Sequence, residues 1–170
     1  MSNGLSISGD DDDWQVFGKT PPGGHEVLFR SRAGNPAVQA YAIDNQMARL
    51  RCVLAPDQVR EDGMPISTKD LDDYEDSLLG ALTSAGAEVY LIAVVTGEGN
   101  RDLFFAARDL DDLRAGIKAS TSAKTISLKF APVGEKEAFL KGLCLSPEQE
   151  RAAMARQSGS GGLLGKLFGH

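Results

Sequence analysis

Apolar residues recur along this chain with two rhythms. Leu71, Tyr74, Leu78, Leu82 and Ala85 are spaced by three and four, which places them on one face of a helix. Ser67, with Asp70 three residues on, supplies a cap for its first turn, and Gly86 supplies a stop. On either side the period falls to two. Leu50, Cys52 and Leu54 alternate with Arg49, Arg51 and Val53, and Ile126, Leu128 and Phe130 alternate with Ser127 and Lys129, as half-buried strands do. Val89 to Val95 and Leu103 to Ala107 are short runs rich in β-branched and aromatic residues. The segment Thr96-Gly97-Glu98-Gly99-Asn100-Arg101-Asp102 joins them as a hairpin. Asp109, with Asp112 three residues later, opens a second helix whose seam is Leu110, Leu113 and Ile117. Gly116 in that helix allows close approach to a sheet.

The resulting order is strand, helix, strand, strand, helix, strand, starting near residues 49, 67, 89, 101, 109 and 125. It predicts an α+β protein with a ferredoxin-like split βαβ core (βαββαβ) and both helices on one face of the sheet. Trp14, Val16 and Phe17 predict a short edge strand. Val27 to Ser31 and Ala37 to Ile43 read as strands joined around Gly34-Asn35-Pro36, and these N-terminal strands extend the sheet or form a neighbouring hairpin. Glu135 to Leu143 predicts a short C-terminal helix. Ser146-Pro147-Glu148-Gln149 opens another, with a hydroxyl cap, a proline in the first turn and a glutamine three residues on. The expected organisation is a flexible acidic lead-in over 1–13, one α+β domain over 14–157, and a flexible Gly-rich link with an apolar tail over 158–170.

Charge sharpens this picture. The 170 residues carry 24 acids and 18 bases, a net charge of -6, which disfavours direct nucleic-acid binding by the body of the protein. Residues 1–113 hold 20 of the acids and 9 of the bases, whereas residues 114–170 hold 4 and 9, so the distal part suits an acidic partner or the first part of the same chain. No apolar run approaches the roughly 20 residues that cross a bilayer, and the first residues lack a positive segment followed by an apolar run. The cytoplasm is the expected compartment. Cys52 and Cys144 lie far apart without zinc-like pairing, which predicts two reduced thiols, and His25 has no partner at ligand spacing. No metal site or cofactor is expected.

The candidate chemistry is electrostatic. Asp70, Asp72, Asp73, Glu75 and Asp76 crowd one helix. Asp72 and Asp76 share a face, an arrangement that could divide acid and base work, yet nothing nearby separates their proton affinities. Asp72, Asp73 and Asp76 are therefore read as a docking surface for a basic protein partner. Arg101 and Asp102 are the candidate ligand-binding pair, because a guanidinium fork takes a carboxylate or phosphate and the aspartate can orient it. They carry the alternative reading of a small-ligand-binding protein or hydrolytic enzyme. Leu163, Leu164, Leu167 and Phe168, around Lys166, give the tail an apolar payload for a groove on the body, for a partner, or for weak membrane contact. The distal lysines Lys118, Lys124, Lys129, Lys136 and Lys141 lack the aromatic interleaving of a single-strand platform.

Asp62-Gly63-Met64-Pro65, then Leu71 with Tyr74-Glu75-Asp76 and Leu78, and above all Thr96, Gly99, Asn100, Arg101 and Asp102 leading into Phe104-Phe105, resemble the bacterial family labelled domain of unknown function 695. Trp14 resembles the family's opening, and the likeness spans residues 14–131. Ser67 and Thr68 stand where the family helix usually begins with an acid, and Leu103 and Ala106 alter the usual aromatic run. The resemblance implies a compact α+β fold and association with ribonuclease-regulator-like domains, and it implies no catalytic residue. It extends the expectation of a noncatalytic interaction or regulatory module to one that binds RNA or an RNA-processing protein.

Overall fold

A computed structural model describes residues 14–120 and 124–160. Its elements run β1 (Gln15–Lys19), β2 (Val27–Ser31), α1 (Pro36–Asp44), β3 (Gln46–Leu54), α2 (Lys69–Ser84), β4 (Val89–Gly97), β5 (Asn100–Ala107), α3 (Leu110–Ala119), β6 (Ile126–Val133), α4 (Lys136–Gly142) and α5 (Pro147–Ser160). The class is α+β. All six strands join one antiparallel sheet in the order β1-β2-β4-β5-β3-β6, so the two N-terminal strands extend the sheet beyond β4.

Alternation along the strands builds a core on each face. On one side Leu50, Leu91, Leu103 and Phe105 meet Leu71, Leu78 and Leu82 of α2 and Leu113 of α3. On the other, Met47, Phe104 and Ala106 meet Val38 and Ala42 of α1 and Leu140 of α4. The helices α2 and α3 touch each other at Gly116, where an added Cβ would lie 2.5 Å from Leu82 Cδ2. The close approach allowed by this glycine is to a helix and not to the sheet.

Residues 37–43, expected as a strand, are the body of α1. Asn35 caps it by accepting from the amides of Ala37 and Val38, at 2.8 and 3.3 Å, and Pro36 occupies the first turn with its φ already helical. Val38 and Ala42, four residues apart, then face the sheet together. The capping signal outweighs the β-branched composition of a short segment. Lys136 closes the other end of α1 by donating to the carbonyls of Ile43 and Asn45.

Other termini follow the sequence. Asp109 accepts from the Asp111 amide, and Ser146 and Gln149 form a reciprocal capping box at the start of α5. Ser67 accepts from Lys69 rather than from Asp70, and Gly86 leaves α2 with φ +63°. The central hairpin turns at Glu98 and Gly99 with positive φ at both, as a type I′ turn requires. Helix α5 includes residues 158–160, which were expected to begin the flexible link. The Gln149 side chain reaches back to the Gly18 carbonyl of edge strand β1 at 2.6 Å. The opposite edge, β6, carries Pro132 and an exposed Lys129. The acidic run 10–13 lies outside the described residues.

Two protons, on the buried Cys52 thiol and the half-buried Tyr41 hydroxyl, tie stability to alkaline pH. Burial pushes the Cys52 thiol up to about 12, and burial together with Tyr90 and Glu88 pushes the Tyr41 hydroxyl up to about 12. The unfolded chain releases the same protons near 8.5 and 10, so above about pH 9 it binds fewer protons than the folded chain and stability falls as pH rises toward 12. Urea midpoints should decline through that window, and Cys52→Ala should flatten the early part of the decline. A midpoint constant to pH 11 would contradict the assignment.

Candidate functional site

Strands β1 and β2 carry the sheet past the edge of α2, which leaves part of the sheet face uncovered. Val16 is 75% exposed and Leu28 is 40% exposed on this side. With Val94 and Met64 they form the apolar floor of a groove of about 450 Å³. One wall is α2, through Thr68, Asp72, Glu75 and Asp76, and Arg30, Thr96 and Arg101 rise from the strands.

Two ion pairs pin α2 to the sheet along this groove. Arg30 Nη2 donates to both oxygens of Glu75 at 2.6 and 2.8 Å, and the Glu75 side chain is only 10% exposed. Arg30 also lies 5.2 Å from the centre of the Trp14 ring. Arg101 Nη1 donates to Asp72 at 2.7 Å, and its Nε donates to the Thr96 hydroxyl at 3.1 Å. Burial alone would raise the Asp72 carboxyl, but hydrogen bonds from Arg101 and Thr68 hold it below its usual value. The lowered value means that this contribution to stability is complete above the ordinary carboxylate range and is lost as pH falls through the folded-state value.

The predicted docking acids therefore have different roles. Asp72 is committed to Arg101, and Asp73 pairs at the surface with Lys69 at 2.6 Å. Asp70 accepts from the Thr125 hydroxyl at 2.9 Å. Asp76 lines the groove without an ion-pair partner among the described residues.

Arg101 and Asp102 do not act as one pair. Neighbours on a strand point to opposite faces, so Arg101 enters the groove and Asp102 faces the other side. There Arg51 grips Asp102 with Nε and Nη2 at 2.8 and 2.9 Å. The hydrogen bond to Asp102 raises the Arg51 pKa further and keeps that guanidinium charged. The distal lysines are dispersed as well. Lys118 ends α3, Lys129 stands opposite Arg51 on β6, and Lys136 is spent on α1. Leu163, Leu164, Leu167 and Phe168 lie outside the described residues. Among the described residues no three His, Cys, Asp or Glu side chains converge on a metal-sized site, and no helix is long and apolar enough to cross a membrane.

Sequence reading overlooked Val16, Leu28, Arg30 and Glu75 as site residues. Arg30 and Glu75 are 45 positions apart, and no local pattern joins them. The one available cue was Arg30, a base within a strand, which suits an acid on a covering helix. The motif stretches do converge: the Gly99 amide donates to the Gly63 carbonyl at 2.8 Å. This contact places Met64 beside Thr96 and Arg101 at one end of the groove. No family model, curated protein or solved structure matches this chain.

Proposed function

We propose that this chain is a cytoplasmic, noncatalytic protein-interaction module that receives a basic, apolar segment of a partner in the groove between α2 and the β1–β2 extension. The observation that carries the reading is an apolar floor, exposed at Val16 and Leu28, beside a wall whose two partly buried ion pairs leave Asp76 without an ion-pair partner among the described residues. The paired charges fix the walls, the floor supplies apolar area, and Asp76 sets the sign of the incoming charge. Covering Val16 and Leu28 contributes on the order of 2 kcal/mol together. The strand order β4-β5-β3-β6, with α2 and α3 on one face, supports a ferredoxin-like split βαβ description of the core. The resemblance to the domain of unknown function 695 supports a regulatory partner of the RNA-processing kind.

The test is affinity capture with the full chain, Val16→Glu/Leu28→Glu and Asp76→Lys. The substituted positions are exposed, so the fold should tolerate them. A direct partner should be lost from the double variant and bind Asp76→Lys about three- to fivefold more weakly, the size of one partly exposed ion pair. Equal retention of every captured protein by both variants would overturn the assignment.

A further inference from the structure

We propose that the groove beside α2 is held in the unpartnered protein by the chain's own segment Leu163 to Phe168, which competes in cis with an outside partner for that surface. This rests on the reading of the groove as a recognition surface and adds its regulation.

Composition is the first argument. The groove offers Val16, Leu28, Met64 and Val94 as apolar floor and Asp76 as an acid without an ion-pair partner among the described residues. The segment Leu163-Leu164-Gly165-Lys166-Leu167-Phe168 offers four large apolar side chains around one cation. The match is in both apolar content and charge sign.

Reach is the second. Gln149 anchors the start of α5 to Gly18 of β1, two residues from Val16. From Gln149 to Ser160 the helix rises about 16 Å, and eight extended residues beyond Ser160 span up to about 27 Å. Phe168 can therefore reach Val16 for a wide range of α5 directions. A covalent tether also gives a segment a local concentration in the millimolar range, so weak contacts suffice to compete.

A hollow of about 830 Å³ beside the start of α5 sets Glu137 and Glu150 against Lys19 and Lys141 and so offers Lys166 no net counter-charge. Another hollow, about 300 Å³ between Phe29, Val95, Phe104, Phe139 and Leu143, has no charged residue in its lining. It suits the leucines and leaves Lys166 without a counter-charge. The groove satisfies both.

The test uses the full chain with labelled methyl groups. Replacing Leu167→Ser and Phe168→Ser should shift the methyl resonances of Val16, Leu28 and Val94, and the difference should be independent of protein concentration. No shift at these three, a shift centred on Val95 and Leu143, or a shift that grows with concentration would each overturn occupancy of the groove in cis. A labelled peptide of residues 161–170 is then titrated. It should bind the Leu167→Ser/Phe168→Ser chain more tightly than the wild-type chain, and Lys166→Glu in the peptide should weaken that binding about three- to fivefold. Equal binding to both chains overturns the competition while leaving the groove a recognition surface. No binding to either, without methyl shifts, overturns the tail as occupant, and capture with the groove variants decides the recognition surface separately.

Discussion

Replacing Phe105 with alanine should lower the unfolding free energy by about 3–5 kcal/mol. Phe105 is fully buried at the middle of β5, between Ala48 of β3 and Leu91 of β4, and belongs to the core under α2 and α3. Its cross-strand neighbour Ala48 is small, so the β3 side cannot fill the space that the ring leaves. Against a typical total of roughly 5–15 kcal/mol, the loss brings the chain close to its unfolding threshold. Urea unfolding read by far-ultraviolet circular dichroism measures it. Phe130→Ala, on edge strand β6 and partly exposed, should cost less. Equal losses at the two positions would mean that the core is not organised around the central strands.

Gly63→Ala should cost about 2–4 kcal/mol, from two sources that can be separated. Gly63 has φ +83°, and a Cβ there would stand 2.8 Å from the Glu98 amide nitrogen and 2.9 Å from its Cα. These are backbone atoms of the central hairpin turn, so no side-chain rotation relieves the contact. Its carbonyl also accepts the Gly99 amide, which means that retreat breaks a hydrogen bond. Gly86→Ala is the matched control. It has φ +63° with nothing within 4 Å of the added carbon, so only the conformational cost of about 1–2 kcal/mol applies. The difference between the two losses isolates the collision. Because Met64 is the next residue and lines the groove, Gly63→Ala should also weaken partner capture, whereas Gly86→Ala should leave it unchanged. A Gly63→Ala chain as stable as Gly86→Ala would show that the loop can move away from the hairpin without penalty.

The elements from β3 to β6 were legible because a clear period runs between local boundary signals: Asp109 before α3, Gly86 after α2, Gly99 in the hairpin. The first helix was misread although Asn35-Pro36 announces it, since Val38 and Ala42 give only two buried positions and no sustained helical stripe. Once that segment is a helix, the second core under α1 and α4 follows, and it could not be anticipated while the segment was taken for a strand. The candidate site was legible only in part. The acids of α2 are visible as a cluster, but their division into structural and available groups depends on Arg30 and Arg101, which arrive from strands separated in sequence. Arg101 and Asp102 are adjacent in sequence and divided by the pleat, so adjacency misled where period two should have guided.

The two margins of the sheet are closed by different means. At β6 closure is written into composition, because Pro132 has no amide to offer and Lys129 repels a second copy of itself. At β1 it depends on a neighbour, the Gln149 amide resting on the Gly18 carbonyl. The first cannot be undone without mutation, whereas the second yields whenever the last helix detaches. If that helix detached, one inert margin would remain, so any pairing through the freed β1 edge would stop at two copies instead of continuing as a fibre.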